Sequence, residues 1–271
     1  MPELPEVETT VRGLRAILIG ERLAAVDLRR GDLRRAFPEG LVQRLVGARI
    51  TGIERRAKYG LIATDRDDTL VFHLGMSGRM RLDPVAIGKH DHVVFTTDSA
   101  RVVALNDARR FGSLDLVSTA ALADYTPFIA LGPEPLGNQL TPAYLRAAFA
   151  GRLAPAKALL LDQRVIAGLG NIYVCEALFL ARIHPARAGG SVRRAKLDAL
   201  IPAIRSVLTA AIEAGGSSLR DYAQVDGELG YFQKQFAVYG REALPCPRCS
   251  RAIKRMVQSG RSSFFCSWCQ R

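Results

Sequence analysis

The chain has 271 residues, 48% of them hydrophobic, with 38 Lys and Arg against 26 Asp and Glu and a formal net charge of +12. That is enough apolar material for a sizeable core in one or two domains, while the lack of an apolar run of about 18 residues argues against a membrane span, and a start without a basic stretch leading into an apolar one argues against a secretory leader. A cytoplasmic protein is expected, and the mostly Arg surplus suits a polyanion, DNA or RNA first; an anionic membrane would also suit it, but no Lys-rich amphipathic helix or lipidation signal is present.

The opening, MPELPEVETT, allows two readings. Val7, Val11, Leu14 and Leu18 recur at helical spacing and predict a helix over 5–19 that Gly20 can end. Pro5 can then take its first position, with Glu6 and Glu8 at the positive end of the dipole. Alternatively, if Met1 is removed, Pro2 is a free secondary amine with the Glu3 carboxylate beside it. From about 22 to 117 the runs ARITGI, TLVFHL, HVVFTT and RVVAL read as short strands, with a hairpin turn around Asp98 and Ser99. Several strands after one helix predict a β-sandwich or open barrel with that helix packed on it.

A linker is expected over 119–135, at the rigid turn segment LGPEPLG. Beyond it the chain reads as helical. Thr141 can cap a helix with Pro142 at its first position and Gly151 at its close. Two further runs, 155–166 and 171–181, flank AGLGN. Ser191 can cap a long stretch reaching Gly215 and Gly216, which Pro202 must kink or divide. Residues 224–232, QVDGELGYF, are expected to form a mobile loop.

CPRC at 246–249 and CSWC at 266–269 give two C-x2-C pairs separated by sixteen residues, 250–265. That spacing fits one zinc held by Cys246, Cys249, Cys266 and Cys269. Four thiolates close a tetrahedral shell and leave no place for water, so one structural Zn²⁺ per chain is expected. Cys175 stands alone in a helical run and reads as core. Between the pairs, Ser259-Gly260 reads as a hairpin turn that puts Arg261 just past the tip, near Lys254 and Arg255.

MPELPEVET, RRAKYG at 55–60, HLGMSG at 73–78, KHDHV at 89–93, DARRFG at 107–112, LGPEPL at 131–136, GLGNIY at 168–173 and the terminal cysteine hairpin occur in one order along the chain. Together they resemble the bacterial formamidopyrimidine-DNA glycosylase (8-oxoguanine DNA glycosylase) family, over essentially the whole length. The resemblance implies an α+β protein with four parts. These are an N-terminal β-sandwich with a packed helix (1–118), the linker (119–135), a helical domain with a helix–two-turn–helix motif (136–240) and a zinc-finger hairpin (241–271). It implies a monomer that binds duplex DNA in the cleft between domains, excises oxidised purines and cuts the abasic strand by β,δ-elimination.

The same resemblance implies roles for single residues. Pro2 is the nucleophile and Glu3 the proton donor, with Glu6 in support. Lys58 is credited with proton donation in β-elimination, though a plain phosphate clamp is an equal reading. Arg261 is linked to δ-elimination, but a guanidinium is almost never deprotonated, and gripping phosphate is the better expectation. Met76, Arg109 and Phe111 fill the hole left by an extruded base. His73, His90, Arg109, Arg152 and Asn171 contact DNA. His90 and His92 lack a third ligand for a metal. Ala108 departs from the family, which often has proline there. Two alternatives remain: an endonuclease VIII-type enzyme for oxidised pyrimidines, sharing Pro2, Glu3 and the zinc hairpin, and a damage-binding protein without catalysis.

Overall fold

The apolar stripe of the first segment folds as α1 (Leu4–Leu18), which buries Val7, Val11, Leu14 and Leu18. Pro5 lies in its first turn, where a missing N–H costs nothing, and Gly20 lets the chain leave at φ +88°. The structure is a computed structural model and describes residues 2–218 and 222–271. Met1, on which the amine reading turns, lies outside the described residues.

After α1 come β1 (Leu23–Leu28) and a short α2 (Leu41–Leu45), which the sequence pattern did not suggest. Seven strands follow: β2 (Ile50–Arg56), β3 (Tyr59–Thr64), β4 (Asp68–His73), β5 (Arg79–Leu82), β6 (Asp91–Thr97), β7 (Val102–Asn106) and β8 (Ser113–Ser118). They form two four-stranded sheets, β1-β6-β7-β5 and β2-β3-β4-β8. Val26, Met80, Phe95 and Val103 from one sheet and Ile53, Ile62, Leu70 and Phe72 from the other share a single core with the α1 stripe. This is the expected sandwich with its packed helix. The β6–β7 hairpin turns at Asp98 and Ser99, as the sequence indicated.

The expected linker is partly structured. A 3-10 turn (Thr119–Asp124) leads into α3 (Thr126–Ile129), and the Phe128 ring meets Tyr59 edge-on with centroids 5.3 Å apart. The chain divides into two compact units, 1–129 with 212–233 and 130–211 with 234–271. The ranges expected from the sequence are contiguous, and these units are not, because 212–233 returns to the sandwich. There the Val225 carbonyl accepts the Leu82 N–H at 2.7 Å. The Val225 side chain packs on α1 at Gly13, where a Cβ would sit 2.5 Å from Val225 Cγ2. Segment 224–232 is therefore anchored at Val225, and only Asp226–Leu229 is exposed in a run.

In the second unit α4 (Pro142–Phe149) is capped by Thr141, whose Oγ1 accepts the Tyr144 N–H at 3.1 Å. α5 (Ala156–Leu161) ends before residue 166, because Asp162 turns the chain by accepting the Arg164 N–H at 3.0 Å. α6 (Asn171–Leu180) follows the glycine turn. α7 (Arg194–Glu213) starts later than a Ser191 cap would place it. Ser191 instead ends a 3-10 turn and donates its hydroxyl to the Ala188 carbonyl at 2.9 Å. Pro202 lies inside α7 without dividing it. β9 (Lys254–Gln258) and β10 (Arg261–Phe265) pair across Ser259 and Gly260, at φ +49° and +73°, the two left-handed positions of a tight hairpin turn. Cys175 and Phe179 of α6 share a small core with Val238, Ile253, Cys246 and Cys266.

Candidate active site and nucleic-acid contacts

Pro2 is buried, and Glu3, at 2% exposure, is the N-cap of α1. The Glu3 N–H donates to Glu6 Oε2 at 2.8 Å, so the residue just after the candidate nucleophile has a fixed backbone. Glu6 Oε1 accepts the Ser217 N–H at 2.9 Å, and the Tyr222 hydroxyl donates to the Glu6 carbonyl at 3.3 Å. Glu6 thus joins the chain start to the returning segment, a larger part than the sequence gave it. Glu8 does more than face the helix dipole. It binds Arg55 at 2.9 Å and Arg12 at 2.8 Å; burial pushes its pKa up, but these two guanidiniums outweigh that and hold it below the usual value.

Arg55 also donates to the Ala57 carbonyl at 2.9 Å, which steadies the β2–β3 turn carrying Lys58. Tyr59, next in the chain, pairs in register with His73 at the end of β4, and their rings lie 4.8 Å apart. His73 Nδ1 accepts the Gly75 N–H at 3.0 Å, so a neutral ring carries its proton on Nε2. Burial, with Lys58, Arg34 and Arg35 nearby, pulls its pKa down to about 4. His73 is then a neutral donor at physiological pH, placed beside a lysine.

The three expected void fillers sit on two loops in contact. Met76 is 37% exposed and Phe111 44%, large for apolar side chains, and the Arg109 guanidinium lies 4.9 Å from the Phe111 ring centre. Gly75, at φ +60°, brings the loops together: a Cβ there would stand 2.4 Å from the Phe111 carbonyl carbon. Asp107 holds both loops. Its Oδ1 accepts from the Ser77 hydroxyl at 2.6 Å and its Oδ2 from the Gly112 N–H at 2.8 Å, while Ser77 Oγ accepts the Arg109 N–H at 3.1 Å. Ser77 and Asp107 lie within HLGMSG and DARRFG, where the family resemblance assigns them no role. Ser next to Met76 and Asp ahead of the arginines, both short side chains suited to loop N–H groups, were the available signal. His92 is buried against the Asp107 carbonyl at 2.9 Å, and the Asp107 N–H donates to the His90 carbonyl at 2.9 Å, so His90 adjoins the same loop.

The second unit carries the other candidates. Arg261 is exposed at the start of β10. The next carbonyl, that of Ser262, accepts from Asn171 Nδ2 and from Lys157 Nζ, both at 3.0 Å. Lys157, only 1% exposed, also donates to Ser263 Oγ at 2.6 Å. Asn171 thereby spends one amide N–H on the hairpin and keeps a second. Lys157 was not foreseen, because a lysine in a helical run reads as solvated. Arg152 is exposed just after Gly151, and its carbonyl accepts the Gly190 N–H at 2.8 Å.

The four cysteine sulfurs, Cys246, Cys249, Cys266 and Cys269, lie within 4.8 Å of one another. A tetrahedral zinc with bonds of about 2.3 Å needs sulfurs roughly 3.8 Å apart, so the set fits. Cys249 and Cys266 are 3.5 Å apart, and Cys246 and Cys269 4.0 Å. Gln270 Oε1 accepts the Cys266 N–H at 2.8 Å, and its Nε2 donates to the Ile183 carbonyl at 2.9 Å, tying the finger to the helical unit.

A sandwich that begins with a buried Pro-Glu, followed by a helical unit and a four-cysteine hairpin, defines a class of DNA-processing proteins, and the comparisons give the family. The formamidopyrimidine-DNA glycosylase N-terminal domain matches residues 1–114, the H2TH domain of the same enzymes 131–223, and a zinc finger found in FPG and IleRS 243–271. A formamidopyrimidine-DNA glycosylase of Novosphingobium aromaticivorans is 63% identical over 271 residues, all of both chains. The MutM (Fpg) protein of Thermus thermophilus superposes with a TM-score of 0.90 at 42% identity, over 99% of this chain and 98% of that one. The Lactococcus lactis Fpg, solved with abasic-site DNA and, as a mutant, with DNA containing Fapy-dG, gives 0.93 at 34% identity over 100% of both chains. The chain belongs to the formamidopyrimidine-DNA glycosylase family, and its finger holds one structural zinc.

Proposed function

We propose that this chain is a base-excision repair enzyme that removes oxidised purines from duplex DNA and cleaves the strand at the abasic site left behind. The observation that carries this is the buried Pro2-Glu3 start, fixed by Glu6 at the head of α1. An α-amine has pKa about 7.7–8.0, so roughly a tenth is unprotonated at neutral pH, against under a thousandth of a lysine. With Met1 gone, Pro2 N attacks the sugar C1′ and the glycosidic bond breaks, the base leaving with a proton. Glu3 gives a proton to the ring oxygen as the sugar opens. The product is an iminium with no N–H to lose. It stays cationic and draws electrons as the C2′ proton leaves and the 3′ phosphate is expelled, and a second elimination expels the 5′ phosphate. Water then frees Pro2.

Lys58 and His73 grip the backbone beside the lesion, the first as a cation and the second as a neutral Nε2–H donor. Extruding a base costs a few kcal/mol, and Met76, Arg109 and Phe111 recover part of it by filling the gap. Asn171, Arg152, His90 and Arg261 hold phosphates, with Arg261 gripping rather than titrating. The zinc supplies a crosslink and no chemistry, because four thiolates close its shell. We place the enzyme in the cytoplasm with the DNA it repairs.

Borohydride trapping on duplexes with 8-oxoguanine or an abasic site tests the mechanism. A covalent complex is expected from protein whose mass shows Pro2 at the start. Full activity from protein that keeps Met1 overturns it. Binding without a trapped complex would leave a damage-recognition protein. Faster release of thymine glycol than of 8-oxoguanine would move the chain to the pyrimidine type.

A further inference from the structure

The helical unit gathers cations around a cavity of about 280 Å³ that none of the roles above uses, lined by Arg187, Arg193, Lys196 and Arg271. A neighbouring opening shares Arg187 and Arg271 and adds Ser191, Ser267 and Gln270. The backbone holds these residues in place. The Arg187 carbonyl accepts the Ala156 N–H at 2.7 Å, and Arg193 immediately precedes α7. Lys196, in the first turn of α7, donates its ammonium to the Arg182 carbonyl and to the main-chain oxygen of Arg271, a carboxylate oxygen at the last residue, both at 2.6 Å, which leaves it one further N–H.

Two observations call for an anion. Among the described residues, no Asp or Glu side chain forms an ion pair with Arg182, Arg187, Arg193, Lys196 or Arg271; the Arg271 carboxylate is one negative charge against these five cations and is held by Lys196 at 2.6 Å, and Asp198, on the same helix, is engaged by Arg146 at 2.6 Å and Arg194 at 3.9 Å. In addition, Arg187 Nε is buried and has no hydrogen-bond partner, an expensive state for a cationic donor. Burial pushes the Lys196 pKa down, and Arg187, Arg193 and Arg182 add to this, so the like charges stand close enough to repel. A tetrahedral oxyanion in the cavity would give the clustered cations an acceptor and offset the repulsion. Guanidinium forks match phosphate oxygens in geometry.

We propose that this pocket binds a phosphate group, either a phosphodiester of a DNA strand beyond the lesion or a free phosphate. The inference is independent of the glycosylase chemistry. It is tested with Arg193→Gln and with Arg193→Gln combined with Lys196→Gln, using zinc content and thermal unfolding to confirm that each variant is folded. Calorimetry with inorganic phosphate is expected to show saturable binding to the wild type, weakened roughly tenfold by loss of one charged contact. Affinity for a long and a short undamaged duplex separates the sources. If the phosphate belongs to DNA, the variants weaken only the long duplex and lower its log–log salt slope by about 0.9 per lost contact. If it is free, phosphate binding falls and both duplexes are unaffected. No saturable phosphate binding by the wild type, together with unchanged long-duplex affinity in the variants, overturns the proposal. Borohydride trapping by the variants is expected to persist in every case, so failure of trapping bears only on the repair chemistry.

Discussion

Glu6 Oε1 accepts the N–H of Ser217 at 2.9 Å across 211 positions of sequence, while its Oε2 accepts that of Glu3 at 2.8 Å. One buried carboxylate thereby fixes the backbone next to Pro2 and the segment that returns to the sandwich. Glu6→Ala strands two buried donors at about 1–3 kcal/mol each. Glu6→Gln keeps one acceptor oxygen and is expected to lose about half as much. Urea unfolding measures the stability change. The borohydride trapping rate is expected to fall further than duplex affinity does, because the loosened group is the neighbour of Pro2, the proposed nucleophile. Equal losses in both would assign Glu6 to folding alone.

Asp107 plays the corresponding part for the loops proposed to fill the gap. Its carboxylate binds Ser77 at 2.6 Å and the Gly112 N–H at 2.8 Å, so Met76 on one loop and Phe111 on the other are set by one group. Asp107→Ala is expected to cost about 2–4 kcal/mol of stability, from two lost bonds to a buried charged group. Its mark on function is selective. Excision from a duplex requires the base to be pushed out, whereas cutting an existing abasic site does not. The ratio of 8-oxoguanine excision to abasic-site cleavage is therefore expected to drop about tenfold. A ratio equal to the wild type's would separate Asp107 from base extrusion.

Much of this was legible in the sequence because it is local. The α1 stripe, the hairpin at Asp98-Ser99, the turn at Ser259-Gly260 and the two C-x2-C pairs are set by residues a few positions apart. Local competition still misplaced boundaries: Ser191 is a good cap by type, yet it closes a 3-10 turn and α7 begins at Arg194, and Asp162 ends α5 at Leu161, short of the expected 166. What stayed hidden are polar groups whose partners lie far along the chain. Lys157 reads as a surface lysine until Ser262 and Ser263 are brought to it, and Val225 reads as loop until it meets Gly13. Family resemblance named Pro2, Glu3 and Arg261, but Asp107 and Lys157, which hold neighbouring loops and strands, became visible only in the fold.

Lys157 is buried with its ammonium on Ser262 and Ser263, the two residues after Arg261. Lys157→Met fits the methylene path but removes the donors, and is expected to cost about 1–3 kcal/mol, since Asn171 still donates to the Ser262 carbonyl. The hairpin would remain pinned at its base by the metal and lose its hold near the tip. The expected signature is weaker DNA affinity with zinc content unchanged at one per chain. Loss of zinc with the same substitution would show instead that Lys157 supports the finger as a whole.

His73 gives a pH prediction with a definite sign. Its pKa falls from 6.5 to about 4 on folding, chiefly through burial and then through Lys58, Arg34 and Arg35. Between those values the unfolded chain binds a proton that the folded one does not, so stability rises with pH across this window and is lost as pH falls from about 6.5 to 4. The loss attributable to this one group is about 3 kcal/mol at the acid end. His73→Gln keeps a polar side chain without a titrating ring. Its unfolding free energy, compared with the wild type's at pH 7 and pH 4.5, should therefore show a smaller acid loss. DNA affinity separates the two forms of the ring in the same window. A neutral Nε2–H donor gives the wild type no gain in binding between pH 7 and pH 5.5 beyond that of His73→Gln, whereas a ring that charges as it grips phosphate would tighten binding as pH falls.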